Sequence, residues 1–350
     1  MLMLPLTIPP KKLCILRLSA IGDISHTLPI LRTIQHAWPE TEITWIIGKT
    51  EYGLVYDLPD VNFIVFDKAE GLLAYKKIRQ SLKDTTFDIL LHMQMSVRSS
   101  LVSLLINADI KLGFDKQRAK DMQWLFTNHK IEHKPRQHVI DSFFGFTEAL
   151  GIKDKLYSWD IPIPDDARQF ASQYIKDQPV LVISPCSSKA YRNWNCEGYA
   201  EVADYAIEKY NMQVILTGGP SSIEKHYGKC IEDKANHKLI NLVGKTSIKQ
   251  LLAIIDKASV VIAPDSGPAH LATAVNTPVI GLYACTNPDR ARPYLSEQWL
   301  VNNYPQAVLK KHGKAVNELP WGVRVRDEGT MNIISVTDVI SKLDSVLNKA

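Results

Sequence analysis

The stretch of sequence that decides the fold lies in the last third of the chain and reads VVIAPDSGPAHLATA, from Val260 to Ala274. Its β-branched apolar start predicts a buried strand. Asp265-Ser-Gly267 then predicts a tight turn, and Pro268 falls in the first turn of a helix, where proline is best tolerated. Such a helix points unpaired N–H groups and a partial positive charge over the strand end, which favours an anion. The alternative is an ordinary strand-to-helix turn in which Asp265 or Ser266 only caps the helix.

Apolar strands alternate with amphipathic helices on the N-terminal side of this stretch and continue beyond it. Strands are predicted over 11–18, 42–47, 62–66, 87–92, 109–113, 180–184, 213–217, 239–243, 260–263 and 279–283. This alternation predicts parallel sheets covered by helices on both faces. We therefore expect an α/β protein with two Rossmann-like domains whose parallel sheets face a central cleft, with ligands at the carboxyl ends of the strands.

A proline-rich connection divides the chain. The segment Ile161-Pro-Ile-Pro-Asp-Asp166 has the extended character that proline imposes, and it predicts an interdomain linker. We expect one domain over 1–160, a second over 161–334, and a terminal helix over 335–350 that packs back on the N-terminal domain. The first helix is predicted to begin near Thr27, with Pro29 in its first turn. Residues 284–330 show no pattern that predicts an element.

Composition excludes several classes of protein. With 45% hydrophobic residues and a net charge of +4, the 350-residue chain is an ordinary globular protein and offers no case for nucleic-acid binding. No apolar run approaches the roughly 20 residues that a membrane-spanning helix needs. The five cysteines form no Cys-x-x-Cys pair, which predicts reduced thiols in a cytoplasmic protein. The sequence leaves the oligomeric state open.

Reactive side chains follow several predicted strands. Asp23 follows the first strand, Lys189 and Arg192 follow the first strand of the second half, and Gly218-Gly219 with Glu224 follows the next. A carboxylate, a basic loop and a helix N-terminus suit a hydroxyl nucleophile and a diphosphate leaving group. Alternatively, Asp23 only complements a helix dipole, the basic pair is solvated, and the glycines only turn the chain. Walker A, G-x-G-x-x-G and Asp-x-Asp sequences are absent, so neither an NAD site nor a metal–carboxylate diphosphate site is predicted.

Several motifs, in the same order, resemble glycosyltransferase family 9, the ADP-heptose:lipopolysaccharide heptosyltransferases. DSGPAHLATA at 265–274 resembles the family's Asp-Thr/Ser-Gly-x-x-His-Leu-x-x-Ala signature, and GDISHTLP at 22–29 resembles its Gly-Asp-x-x-His/x-Thr-x-Pro loop. Arg192-Asn-Trp194 resembles its Lys-x-Trp, and HMQMSVRS at 92–99 is similar to its Gln-x-x-x-Lys/Arg-Ser turn. Arg118 and the Gln137-His138 pair are placed most like those of the heptosyltransferase I branch.

The resemblance implies a GT-B architecture and an inverting, metal-independent transfer of heptose from ADP-heptose to the lipopolysaccharide inner core, on an acceptor of Kdo-lipid A type. It implies an acceptor-binding N-terminal domain, in which Asp23 is the general base, and a nucleotide-sugar-binding C-terminal domain. The donor-binding residues that it implies are Lys189, Arg192, Glu224, Asp265, Ser266, Gly267 and His270. Arg192 departs from the family's lysine, and Lys189 would share its role.

The acceptor is expected to meet a basic segment, residues 111–138, which would attract its carboxylates and phosphates. The implied acceptor-binding residues are Gln94, Arg98, Arg118, Arg136 and His138. The neighbouring Trp124-Leu-Phe126 would rest on the membrane that holds the acceptor's lipid, so we expect peripheral association with the inner face of the inner membrane. The alternative for the segment is a solvated loop. Alternatives for the whole chain are a family 9 enzyme with another nucleotide-sugar or acceptor glycan, or a non-catalytic nucleotide-sugar-binding protein on the same fold.

Overall fold

Two compact units make up the chain, with the boundary between Pro162 and Ile163. The computed structural model describes residues 3–348. The predicted fold class is confirmed, because each unit is a six-stranded parallel sheet with helices between its strands.

The first unit is built around a strand that carries almost no polar side chain. Its strands are β1 (Lys12–Leu16), β2 (Glu42–Gly48), β3 (Val61–Phe66), β4 (Thr86–His92), β5 (Asn107–Gly113) and β6 (His129–Lys130). Its helices are α1 (Ile21–Ala37), α2 (Lys49–Val55), α3 (Leu72–Ser81), α4 (Val97–Ser103) and α5 (Val139–Leu150). The strand order is β3-β2-β1-β4-β5-β6, so β1 lies centrally and Leu13 to Leu16 are fully buried.

Helix α1 begins six residues earlier than predicted, at Ile21 instead of near Thr27. Asp23 therefore lies in the first helical turn, and its carboxylate reaches back towards the backbone N–H of Ala20 at 3.5 Å. An acidic residue at this position satisfies one of the N–H groups that a helix start leaves unbonded. Pro29 lies inside the helix, so the prediction that used proline as a start signal was wrong.

The second unit repeats the same plan. Its strands are β7 (Val180–Ile183), β8 (Gln213–Leu216), β9 (Ile240–Asn241), β10 (Val260–Pro264), β11 (Val279–Tyr283) and β12 (Val301–Asn302). Its helices are α6 (Asp165–Tyr174), α7 (Cys196–Tyr210), α8 (Ser222–Lys234), α9 (Ile248–Asp256), α10 (Gly267–Ala274), α11 (Pro288–Ala291), α12 (Tyr304–His312) and α13 (Val336–Leu347). The strand order is β12-β11-β10-β7-β8-β9, which is the order of the first unit counted in its own strands.

The terminal helix α13 belongs to the core of the second unit. Val339, Leu343 and Val346 are buried there in the same hydrophobic cluster as Trp194. The indole N–H of Trp194 donates to the carbonyl of Ile334, at 3.1 Å, just before the helix begins. The apolar face of α13 thus packs within its own unit, and the expected packing on the N-terminal domain stays a prediction.

The strand order places two loops of each unit side by side. In a doubly wound sheet, the chain leaves in opposite directions from the first and fourth strands, and ligands bind between the loops that follow them. In the first unit these loops follow β1 and β4, and in the second they follow β7 and β10.

No helix within residues 3–348 has the length and apolar character needed to cross a bilayer.

Candidate active site

Asp23 is paired with an arginine at the end of β1. Arg17 forms an ion pair with the Asp23 carboxylate and also donates to the carbonyl of Met93, and its guanidinium lies 5.3 Å from the ring centroid of Phe143. The Arg17 side chain is 8% exposed, whereas that of Asp23 is 37% exposed. The buried Arg17 guanidinium therefore pairs with Asp23 from the protein interior, while the Asp23 carboxylate stays accessible to solvent.

Gln94 fixes the loop that leads to Asp23. Its side-chain oxygen accepts from the backbone N–H of Leu18 at 2.6 Å, and its side-chain nitrogen donates to the Ser19 hydroxyl at 3.1 Å. Gln94 follows β4, so these bonds join the two loops that the strand order places side by side. The structure thus brings Gln94 close to the Asp23 loop, and its contact with an acceptor stays a prediction.

Asp265, Arg192 and His270 lie close together in the second unit, with side chains that are 13%, 13% and 7% exposed. The Arg192 guanidinium lies 3.0 Å from the Asp265 carboxylate and donates to the Asp265 carbonyl at 3.1 Å. The His270 Nε2 lies 3.9 Å from the other carboxylate oxygen. Burial raises the pKa of Asp265 and is the largest single influence. Hydrogen bonding from His270 and the charge of Arg192 outweigh it, so the pKa of Asp265 lies below its usual value.

Polar atoms without a partner gather at the start of α10. Among residues 3–348, the buried Ser266 hydroxyl and the Nε of Arg192, whose guanidinium bonds the neighbouring Asp265, find no hydrogen-bond partner. Ser266 is the N-cap residue of α10, yet its side chain makes no capping bond to the helix. Buried polar groups are normally satisfied, and the positive end of a helix attracts anions. Gly267, the first residue of α10, adds its backbone N–H to the same place, so the arrangement suits a phosphate group.

The other two predicted donor-binding residues lie at the same edge of this sheet, with different surroundings. Lys189 is exposed and precedes the short turn that carries Arg192. The Glu224 carboxylate accepts from the backbone N–H of Gly219 at 2.7 Å and from the Ser221 hydroxyl at 2.6 Å. Glu224 thus holds the glycine turn after β8 closed, and its predicted contact with a ribose stays a prediction.

Of the predicted acceptor-binding residues, Arg118 and His138 are occupied within their own unit. The Arg118 guanidinium pairs with the buried Asp115 and donates to Gln137 at 3.0 Å, with further bonds to Ser142 and the Glu132 carbonyl. His138 is buried and caps α5 by accepting from the Ile140 N–H at 3.2 Å. These two side chains hold the basic segment to its unit. Arg98 and Arg136 are exposed, so they are accessible to an anionic acceptor.

Sequence reasoning missed two parts of the site. Arg17 is the only charged residue in the apolar run Leu13–Leu18, and a lone cation at the end of a buried strand is a usable signal. The irregular segment 284–330 supplies the other part, since Thr286 and Asn287 line a small pocket together with Asp265 and Arg290. Asn287 lies four residues beyond the end of strand β11 and caps α11, whose first residue is Pro288. An asparagine followed by proline is a usable sequence signal for such a helix start.

The residues described here offer no cluster of three or more His, Cys, Asp or Glu side chains suited to hold a metal ion.

Solved structures share this architecture. The family 9 glycosyltransferase from Veillonella parvula superposes with a TM-score of 0.80 at 21% identity, covering 97% of this chain and 98% of that one. The Escherichia coli heptosyltransferase WaaC with ADP superposes with a TM-score of 0.68 at 21% identity, covering 83% and 92%. The paired Rossmann-like units are those of the GT-B class of glycosyltransferases.

Sequence comparison gives the family. The model of glycosyltransferase family 9 (heptosyltransferase) matches residues 75–320. Over 335 residues the chain is 42% identical to the lipopolysaccharide core heptosyltransferase OpsX of Haemophilus influenzae, covering 95% of this chain and 96% of that protein. It is 25% identical over 346 residues to lipopolysaccharide heptosyltransferase 3 of Escherichia coli, covering 93% and 95%. The chain belongs to glycosyltransferase family 9, the heptosyltransferases, and the predicted family is confirmed.

Proposed function

We propose that this protein transfers a heptose from an ADP-linked donor to the inner core of lipopolysaccharide, on a lipid-linked acceptor of Kdo-lipid A type. The observation that carries the proposal is the group of partnerless polar atoms around Ser266, beside Arg192 and the start of α10. The 42% identity to a lipopolysaccharide core heptosyltransferase supports the choice of sugar and acceptor.

In the proposed reaction, Asp23 removes the proton from the acceptor hydroxyl as the oxygen attacks the anomeric carbon of the donor. The new glycosidic bond forms on the face opposite the departing ADP, so the configuration inverts. The bond between the anomeric carbon and the diphosphate oxygen breaks, and its electron pair stays on the diphosphate. Arg17 holds the Asp23 carboxylate from behind, and the 37% exposure of Asp23 leaves it reachable by a substrate.

The charge that develops on the leaving diphosphate meets two groups of the second unit. Ser266 and Gly267 form the start of α10, where a helix leaves backbone N–H groups available to an anion, and Arg192 supplies a guanidinium suited to two phosphate oxygens. Arg192 is engaged with Asp265, so a bound diphosphate would share it with that carboxylate. Asp265 and His270 would then contact sugar hydroxyls and keep the guanidinium in place, and Glu224 would accept from a ribose hydroxyl. We propose that no metal ion takes part.

ADP binding tests the donor half of this proposal. Ligand at one hundred times its Kd stabilises the native state by about 2.7 kcal/mol. For a unit of this size, that corresponds to roughly 5 to 11 °C in the melting of the second unit. The shift should be equal in EDTA and in magnesium, and UDP and GDP should produce markedly smaller shifts. A shift that needs magnesium contradicts metal independence, and a larger response to UDP or GDP favours another nucleotide-sugar.

Asp23→Asn tests the catalytic half. Removal of a general base lowers turnover by about 10²-fold or more, so the variant should lose that much in a transfer assay with ADP-heptose and the lipid-linked acceptor. Its ADP melting shift should match that of the unaltered protein, because the nucleotide contacts are on the second unit. Near-normal turnover would return Asp23 to its capping role alone.

A further inference from the structure

The small pocket beside Asp265 is built largely from the irregular segment 284–330. Its wall includes Asp265 after β10, Thr286, Arg290 and Ala291 after β11, and Gly322 and Arg324 further along the chain. All of these residues belong to the second unit. The reaction proposed above uses Asp265 and none of the other five, so the pocket has no role in it so far.

The far wall of the pocket, residues 322–325, is fixed to the rest of the second unit. An antiparallel bridge joins Thr286 to Arg324. The hydroxyl of Tyr304, in α12, donates to the backbone carbonyl of Val323 at 2.9 Å. The wall is therefore held by bonds to two other parts of the unit. A wall that is fixed before a ligand arrives can select that ligand by its size and shape.

Asp265 belongs both to the pocket and to the proposed donor site. Its carboxylate pairs with Arg192 at 3.0 Å, and the next residue, Ser266, is the N-cap of α10. The same carboxylate receives a hydrogen bond from Thr286 in the pocket wall. A donor bound as proposed above has its diphosphate at the start of α10 and its sugar at Asp265. The pocket therefore adjoins the sugar.

The size and chemistry of the pocket define what it can hold. It has room for about one water-sized group, so a phosphate is too large for it. Arg290 and Arg324 can donate hydrogen bonds, the Asp265 carboxylate can accept one, and Ala291 offers a methyl group. A hydroxymethyl group matches this wall, because its carbon packs against a methyl group while its hydroxyl both donates and accepts. A heptose differs from a hexose by one additional carbon and its hydroxyl.

We propose that this pocket receives the terminal hydroxymethyl group of the donor sugar, C7 of a heptose with its hydroxyl, and so selects a seven-carbon sugar over a six-carbon one. The inference rests on the proposed function, which makes the donor an ADP-linked heptose. ADP-linked heptose and hexose share the same diphosphate, so the start of α10 and Arg192 do not distinguish them. The distinction then requires contacts at the far end of the sugar, and the pocket supplies them.

Gly322 allows the pocket to be filled without disturbing the fold. A Cβ placed on Gly322 would meet no atom closer than the Arg290 Nε, at 3.8 Å, which is ordinary van der Waals contact. The backbone of Gly322 lies outside the left-handed region, so a larger residue causes no strain there. A valine or leucine at this position should extend towards Arg290 and occupy the space. Ala315→Leu is the matched control, because Ala315 is exposed in the same irregular segment and lies outside the pocket wall.

Titration calorimetry with ADP, ADP-heptose and ADP-mannose tests the proposal without an acceptor. Mannose is a heptose of manno configuration without C7. The unaltered protein should bind ADP-heptose at least about tenfold more tightly than ADP-mannose, the lower end of what one enclosed carbon contributes to selection. G322V should reduce this preference and G322L should bring it to near equality, while ADP and ADP-mannose bind both variants as before. A315L should bind all three nucleotides like the unaltered protein.

Several results would overturn the proposal. One is equal binding of ADP-heptose and ADP-mannose by the unaltered protein, and another is an equal weakening of both by G322L. Weaker binding of ADP alone to G322L would also overturn it, because the pocket would then hold part of the nucleotide. The melting temperature of G322L should match that of the unaltered protein. A protein that shows the preference and yet transfers neither sugar to the lipid-linked acceptor contradicts the heptosyl transfer and supports the assignment of the pocket.

Discussion

Replacing Arg192 by methionine removes the cation that neutralises a buried carboxylate in the second unit. Arg192 and Asp265 are each only 13% exposed, and their side chains meet at 3.0 Å. Methionine keeps most of the aliphatic stem and loses the guanidinium. Of the two side chains paired with the Asp265 carboxylate in this cluster, only the more distant His270 imidazole, at 3.9 Å, would then remain.

Breaking a buried ion pair by removal of one partner costs about 3 to 5 kcal/mol. The small residual exposure of this pair points to the lower end, about 3 kcal/mol. A unit of this size loses roughly 2 to 4 °C of melting temperature per kcal/mol, so we expect a drop of roughly 6 to 12 °C in the second unit. The double variant R192M/D265N should regain part of this loss, because it no longer buries an uncompensated charge.

The pH dependence follows from the lowered pKa of Asp265, in which hydrogen bonding from His270 and the charge of Arg192 outweigh burial. A carboxyl whose folded pKa is lowered stabilises the protein above its unfolded pKa, near 3.9, and loses that contribution as the pH falls through the folded value. The difference in melting temperature between the unaltered protein and R192M should therefore be full at pH 7 and shrink below about pH 4.

Calorimetry of the unaltered protein, R192M, D265N and R192M/D265N, at pH 7 and at pH 3.5, provides the measurement. The reasoning would be refuted by a drop of less than about 2 °C for R192M at pH 7. It would equally be refuted by a double variant that is less stable than R192M alone. The ADP shift of R192M, measured in the same experiment, reports separately on whether the guanidinium also contacts the nucleotide.

Two further predictions concern the first unit. The pair R98A/R136A should raise the acceptor KM and flatten its salt dependence while the donor KM is unchanged, because exposed charges attract an anionic substrate and are screened over about 10 Å at 0.1 M salt. K76A/K83A, at exposed lysines elsewhere in the unit, is the matched control, and an unchanged acceptor KM would leave the arginines as solvated surface. Burial, with the charges of Lys111 and Arg17, lowers the pKa of His92 to about 3. Because the pKa of an unfolded histidine is near 6.5, the free energy of unfolding should be at its full value above pH 6.5 and fall by about 2 kcal/mol by pH 5. Urea unfolding should show this loss in the unaltered protein and not in H92Q.

The strands and the two-domain plan were predictable because buried parallel strands are continuous apolar runs bounded by turn residues. The start of α1 was not, since Pro29 resembles a first-turn proline while the Asp23 side chain bonds locally to begin the helix earlier. Such a cap depends on a contact of 3.5 Å that spacing alone does not specify.

The candidate site was predictable only in part. The Asp265–His270 signature marks its position after a strand, and the structure brings Arg192 to it across 73 residues of chain. The surroundings of Arg118 were not predictable: its guanidinium pairs with the buried Asp115 three residues away and also bonds Gln137, nineteen residues further along the chain. Its contact with an acceptor stays a prediction. The pattern of 335–350 predicts a helix with one apolar side and does not say which core receives it.

The identical strand order of the two sheets has a consequence for how such enzymes diversify. Each unit has its own hydrophobic core and its own pair of loops at the junction of its first and fourth strands. In the proposed reaction, one junction holds the proton acceptor and the other holds the leaving group. Mutations in the loops after β4 and β5 can therefore alter the choice of acceptor glycan without disturbing the phosphate cradle, so new specificities can arise in one half of the gene while the other half is inherited intact.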